Sequence, residues 1–472
     1  TKAAFEFAFR VPRIQMESVF NLHMPELMNR FFDVLTLQKG LPKLLIDLST
    51  GAIQIIFGLL LLSFYHPFFV FFGIFLLSIL FMIFYITGPK GLKSSITESK
   101  YKYKVVYWLE EMARVSTSFK MSGKTDLHMQ RTDEHATAYL ESRNAHFKVL
   151  IQQFSLMVVF KVIVALGLLA MGGILVMEQQ MNIGQFVAAE IIILLIIGSV
   201  EKIILGLEAF YDILTSLEKM GEVVDKELEA QNGEEPFEIG EPLTIEFDGV
   251  NYKGFDDEKI IKNINFKLNP GDKILLRGAN GAGKSTLLKL LAGLIRPSEG
   301  EIYVNDISLK SVRLNHYRGM LGHSITEETP FEGTILENIT LGDQSIPKED
   351  IQWALEKTGL QGFVKQQPKG LNTMIYPEGI QMPFSVSKKL ILARSIVRRP
   401  AILILNDPLN QLDPEEEDRI LDFLFSKENK WSIIVAGKEE KWQKLCNREL
   451  FMKKGKITNK IYVPSGMVKI FF

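Results

Sequence analysis

The sequence predicts two domains in tandem: an all-α membrane-spanning domain, then an α/β domain of short strands alternating with helices. Three observations carry this. The first half holds apolar blocks longer than a water-soluble helix needs. An acidic run containing Gly and Pro, GEVVDKELEAQNGEEPFEIGEP (221–242), closes that half as a linker does. After Leu243, short β-branched runs alternate with helical patterns.

Residues 1–45 are charged and amphipathic, with Pro25 at an expected bend. Residues 46–87 carry one formal charge, Asp47. About 20 apolar residues cross a hydrocarbon layer roughly 30 Å thick. The block therefore reads as two spans, 46–66 and 67–87, turning at His66–Pro67, where proline biases its predecessor out of the helical region. Residues 88–150 are polar but helix-compatible. As a hairpin of about 60 residues they project some 40 Å beyond the bilayer. A second pair of spans, 154–177 and 187–207, flanks the short turn EQQMNIGQF. Neither outer turn contains Lys or Arg, whereas Lys90, Lys93, Lys100, Lys102 and Lys104 follow the second span. Positive residues favour the cytoplasmic side, so the hairpin and everything after residue 207 are expected there. The predicted division is a membrane domain over 1–225, a linker over 226–243 and an α/β domain over 244–472.

Charges within spans are costly unless they face protein or water. Lys161 and Glu190 are expected to reach toward the interfaces. Glu201 and Lys202 are balanced between lining a path and a structural role, and as neighbours they point about 100° apart on a helix. The Phe-rich run over 68–84 reads as lipid-facing bulk. With 54 basic and 55 acidic residues, nothing argues for nucleic acid as a partner. The single cysteine, Cys446, excludes an internal disulfide framework and a cysteine-rich zinc site.

The stretch KILLRGANGAGKSTLLKLLAGL (273–294) is the most informative. KILLR reads as a buried strand and KSTLLKLLAGL as a helix, joined by GANGAGKST in the G-x-x-x-x-G-K-[ST] pattern. Gly278, Asn280, Gly281, Ala282 and Gly283 supply a loop whose backbone N–H groups curl around a polyphosphate, and the helix start adds positive partial charge. Lys284 neutralises the terminal phosphates, Ser285 offers its hydroxyl to Mg²⁺, and Thr286 follows in the first turn. ATP and Mg²⁺ are the expected ligands of a P-loop NTPase domain.

From these residues onward the chain resembles the half-transporters of the ATP-binding cassette (ABC) exporter class, over nearly its whole length. TPFEGTILENITLG (329–342), YPEGIQ (376–381), ARSIVRRPAILIL (393–405) and NQLD (410–413) fall in family order. The resemblance implies four of six membrane spans, with the first and most of the second missing before residue 1. It also implies coupling segments near Pro25–Phe32 and Glu111–Phe119, and an adenine-stacking aromatic at Tyr252 or Phe255.

Several positions that carry chemistry depart from the family pattern. ILILND puts Asn406 where an aspartate faces Mg²⁺, making it a weak metal ligand, and Asp407 where a glutamate polarises water. An aspartate there withdraws its oxygens by roughly 1 Å, a displacement that can cost about a hundredfold in rate. Lys438 replaces the switch histidine, and Thr326 falls at the Q-loop glutamine. Met382–Val386 replaces the signature LSGGQ, with Pro383 lacking an N–H and Phe384 adding bulk. These departures around an intact phosphate loop imply binding of nucleotide with weak hydrolysis. The expected protein is an ATP-binding exporter subunit in the plasma (inner) membrane, its nucleotide domain cytoplasmic. Membrane lipids surround it, and it dimerises with itself or with an intact half-transporter to move an unknown substrate. The alternative is a non-transporting, nucleotide-gated membrane scaffold or the regulatory half of a heterodimer.

Overall fold

The computed structural model describes residues 1–325, 328–409, 412–437 and 440–462. Two compact units emerge: Thr1–Ile14 with Asn21–Glu227, and Gln15–Phe20 with the chain from Leu228 onward.

The first unit is helical. Four stretches, Met24–Ser63, Phe68–Arg114, Leu127–Met177 and Ile183–Val224, are long and apolar enough to cross a membrane. At 1.5 Å per residue, the 47 residues of Phe68–Arg114 run for about 70 Å, more than twice the hydrocarbon thickness. The expected projection is therefore the same helices continuing. Ser116–Met121 turns the corner between the second and third of them. Pro67 sits immediately before the helix that starts at Phe68, where its missing N–H costs nothing. Asn182 and Gln185 open the last span with a capping box, Gln185 N donating to Asn182 Oδ1 at 2.7 Å and Asn182 N to Gln185 Oε1 at 2.9 Å. One π-turn, Leu168–Gly172, interrupts the third stretch.

These helices approach closely where side chains are small. A β-carbon on Gly91 would stand 2.4 Å from the Tyr211 ring, so only glycine admits that ring between the helices. Tyr211 Oη accepts from Gln153 Nε2 at 2.6 Å, and the same amide donates to Thr87 Oγ1 at 3.1 Å. Of the Phe-rich run, Phe71, Phe75 and Phe81 face outward while Phe69 and Phe72 are buried, so only part of it is lipid-facing.

Lys161 corrects the expectation drawn from its depth. Its ammonium does not run to an interface but donates to Glu201 Oε2 at 2.6 Å, joining the third and fourth stretches. Sequence spacing could not pair residues 40 positions apart, and Lys202, the chain neighbour of Glu201, points elsewhere on the helix.

The second unit is α/β. Its six-stranded sheet runs in the order Lys456–Tyr462, Arg448–Lys453, Lys273–Arg277, Ser432–Ala436, Ile402–Asn406, Leu321–Ser324. Every pairing is parallel except that of the first two strands. Strands of this kind are apolar throughout because both faces are covered. Ile274, Leu276, Ile402, Ile404 and Ile434 pack into one cluster, and Leu275, Leu403, Leu405, Ile433 and Val435 into another. A smaller antiparallel sheet adds Lys259–Leu268, Ile245–Lys253, Glu299–Val304 and Ile307–Ser308. The run after residue 225 forms no helix before Ile245, yet it is fastened to this unit. Arg318 clamps Glu229 through two hydrogen bonds of 2.6 and 2.8 Å, Glu234 bridges to Val312, and Phe237 is buried.

Lys273 opens the central strand and is partly enclosed, its Nζ donating to Trp431 O at 2.9 Å. Burial lowers its pKa to about 8, below the roughly 10.4 of a free lysine. The unfolded chain therefore binds the extra proton between those values, and stability rises as pH climbs through that window. Thermal unfolding of the solubilised chain is expected to shift upward from pH 8 to pH 10 by an increment that disappears in Lys273→Met. In the membrane unit, Lys161→Met strands the Glu201 carboxylate and is expected to destabilise by about 1–3 kcal/mol. The double variant Lys161→Met with Glu201→Met recovers part of that loss, as read from melting in detergent.

Candidate functional site: a phosphate cradle at the ends of parallel strands

The parallel sheet delivers three strand ends to one place. Lys273–Arg277 lies beside Ser432–Ala436, which lies beside Ile402–Asn406. Gly278, Gly437 and Asp407 follow directly at their carboxyl ends, where open α/β sheets hold their ligands. A cavity of 1130 Å³ opens there. Among its lining residues are Asn280, Gly281, Gly283, Lys284, Ser285, Thr286, Asn406 and Asp407. The structure thus gathers the predicted phosphate loop and the two residues expected at the carboxylate positions, Asn406 and Asp407, around one space.

The loop fits a polyphosphate. Gly278, Gly281 and Gly283 take φ values of 149°, 76° and 101°, all in the region that favours glycine. At Gly278 the demand is also steric, because a β-carbon would lie 2.3 Å from Met452 O. That carbonyl belongs to the strand Arg448–Lys453, whose hairpin closes on the loop through Gly455 N donating to Ala282 O at 3.0 Å. Helix Lys284–Leu291 begins at the loop, and its first residues, Lys284, Ser285 and Thr286, line the cavity, where a helix start favours an anion. Lys284 Nζ donates to Gly278 O at 2.8 Å and Ala279 O at 3.1 Å, folding the ammonium over its own loop.

The acidic side of the site is weaker. Asn406 Nδ2 donates to Ile325 O at 3.1 Å, a bond an ionised aspartate could not make. Asp407 has φ 44°, its backbone N–H bonds to Ala436 O at 2.9 Å, and its Oδ1 lies 3.1 Å from where a β-carbon on Gly437 would stand. Among the described residues, no group of three His, Cys, Asp or Glu side chains could hold a metal. Thr326 and Lys438, expected from the sequence at the Q-loop and switch positions, lie outside the described residues.

Neither aromatic candidate lines the cavity. Tyr252 is 4% exposed and packs in the core, where burial raises its phenol to about 12 with a smaller contribution from Glu17. Phe255 stands in the turn after the first strand, 73% exposed. Met382 and Pro383 lead into helix Phe384–Ile396, with Phe384 half exposed on its first turn. The family-like phrase ahead of it folds as a capped turn. Thr334 and Glu337 form a capping box, and Asn338 ties Phe331 N and O to Arg394.

Sequence reasoning missed Glu258, Lys259, Ile260, Lys262, Lys454 and Gly455, which also line the cavity. They come from a second sheet and from a hairpin far along the chain. The turn KKGK at 453–456 was readable as a turn, but nothing local tied it to residue 278. The segment Gln15–Phe20 was missed as well. It belongs to this unit, with Glu17 accepting from Arg296 N at 2.7 Å and Lys289 over the Phe20 ring.

Taken together, strand, loop and helix define a P-loop nucleotide-binding domain, fused to a bundle of membrane-spanning-type helices. Residues 261–410 match the ABC transporter family. The chain is 27% identical over 293 residues to the multidrug resistance ABC transporter ATP-binding and permease protein of Lactococcus lactis subsp. lactis, covering 62% of this chain and 50% of that protein. It is 28% identical over 291 residues to the alpha-hemolysin translocation ATP-binding protein of Escherichia coli O157:H7, with 61% and 41% covered. A bacterial Atm1-family ABC exporter solved with ATP bound superposes with a TM-score of 0.81 at 18% identity, covering 97% of this chain and 81% of that one, a likeness of fold. The chain spans about half the length of the curated relatives it matches. The match to the ABC transporter family falls on the phosphate-loop domain, and an N-terminal unit with four helices long and apolar enough to cross a membrane precedes it.

The cradle makes a direct prediction. Gly278→Ala drives a methyl group into Met452 O at a φ that alanine resists, so the variant loses about 1–3 kcal/mol of stability. Nucleotide affinity, measured by calorimetry on the full chain, falls at least about tenfold because the loop N–H groups no longer converge.

Proposed function

We propose that the protein is the ATP-binding subunit of an ABC-type membrane exporter, one in which nucleotide binding is retained and hydrolysis is slow. The observation that carries the reading is a complete phosphate cradle facing Asn406 and Asp407. Lys284 Nζ donates to the carbonyls of Gly278 and Ala279. Terminal phosphate oxygens are stronger acceptors, so the side chain swings to them when ATP enters. Loop N–H groups and the helix start hold the remaining phosphate charge. Phe255, exposed beside the first strand, is the better placed of the two aromatics to stack on adenine, Tyr252 being sealed in the core.

The groups that would fire water at the terminal phosphate are poor. Asp407 is shorter than the glutamate expected there, and a loss of reach of about 1 Å is of the size that costs a hundredfold. For Mg²⁺, Ser285 offers a hydroxyl, while Asn406 brings no charge and spends an amide hydrogen on Ile325. The reading further takes the protein as a dimer, with itself or with an intact half-transporter. Each cradle then faces the partner's signature segment. Pro383, without an N–H, and the bulky Phe384 make that contact weak from this side as well. The membrane is the plasma (inner) membrane, with the nucleotide domain cytoplasmic, as the lysine-rich segment after the second span favours.

The full chain, purified in detergent, is expected to bind ATP while turning it over below about 1 s⁻¹, the low end for enzymes. Lys284→Ala weakens that binding at least about tenfold. Turnover at ordinary transporter rates that vanishes in Lys284→Ala defeats the slow-hydrolysis claim. In reconstituted vesicles, ATP-dependent movement of a substrate separates an exporter from a nucleotide-gated scaffold, which moves none.

A further inference from the structure

We infer that ATP binding at this cradle does not depend on a divalent metal: the cavity accepts free ATP about as well as its magnesium complex. The inference rests on the ATP-binding reading and adds to it which charge state of the nucleotide the site takes.

The first support is at Asn406. The residue on this strand end that should carry charge toward a metal is neutral, and it is not idle. Its amide is committed as a donor to Ile325 O at 3.1 Å. The donor role fixes the side chain by a backbone contact that has nothing to do with a cation. An aspartate in the same place would set a carboxylate against a carbonyl oxygen and would need a metal or a proton to relieve it.

The second support is the charge of the whole cavity. Among the described residues, four lysines line it, Lys259, Lys262, Lys284 and Lys454, against two carboxylates, Glu258 and Asp407. Lys259 shares a surface pairing with Glu299 at 3.4 Å. Among the described residues, no carboxylate lies within ion-pair distance of Lys262 or Lys454. Free ATP is more anionic than its metal complex by the charge of the metal itself. A cavity with a surplus of cations attracts it more strongly, and the glycine loop adds N–H donors that need no metal to act. Magnesium ordinarily cancels repulsion between the phosphates and nearby carboxylates. Among the described residues here, one carboxylate, Asp407, stands at the strand ends beside Asn406.

Titration calorimetry on the full chain in detergent tests this, run with ATP in magnesium buffer and again in EDTA at matched ionic strength. The expected result is a dissociation constant that changes by less than about 3-fold between the two. In Asn406→Asp, removal of magnesium is expected to weaken binding at least about tenfold, with magnesium restoring it. Replacing Lys262 and Lys454 by alanine is expected to weaken free ATP more than its magnesium complex. Wild-type affinity that collapses about 30-fold or more in EDTA overturns the inference while leaving ATP binding intact. An Asn406→Asp variant that responds to EDTA as the wild type does overturns the role given to Asn406. Absence of binding in both buffers is a different outcome, since it removes the ATP-binding reading itself. Matching melting curves for all variants establish that they are folded.

Discussion

At Gly278 the carbonyl of Met452 occupies the space where any side chain would begin. This contact organises the nucleotide-binding unit, because it locks a loop on one strand to the hairpin of another more than 170 residues away. With the hairpin in place, Gly455 N reaches Ala282 O and the loop is held open as a ring of N–H groups. Central parallel strands, apolar on both faces, keep that geometry rigid beneath it. A cradle held this way does not depend on Asn406 and Asp407, which come from another strand end.

That independence lets a phosphate cradle persist whatever side chains stand at the other strand ends. The loop is selected by sterics and backbone conformation, so substitutions at Asn406 and Asp407 leave it untouched. Asn406 has gained a partner in Ile325 that aspartate could not have. The lysines that reach the cavity from the second sheet and the hairpin add positive charge to it, which favours anions.

The membrane half follows a related logic in a different solvent. Its helices cannot rely on excluding water from each other within lipid, so close packing and polar contacts hold them. Gly91 lets the Tyr211 ring lie between helices, Gln153 satisfies that phenol, and Lys161 meets Glu201 across two spans. Both partners of the ion pair are about one-third exposed, so each lowers the cost of the other without being sealed away.

Much of this was legible in the residues. Span positions follow from the length of apolar runs against the thickness of a bilayer, and the phosphate loop from glycine spacing between a strand and a helix, because both are local constraints that sequence records directly. The last span starts at Ile183, inside the stretch 178–186 expected to be a turn, and the Asn182–Gln185 capping box that opens it went unread. What only the tertiary structure decided are the contacts between distant segments: Lys161 with Glu201, Asn406 with Ile325, Gln15–Phe20 grouped with the nucleotide unit, and Lys262 and Lys454 at the cavity wall. A side chain's partner depends on which strand ends and helix faces the fold brings together. No periodicity or spacing along the chain encodes a distance through space.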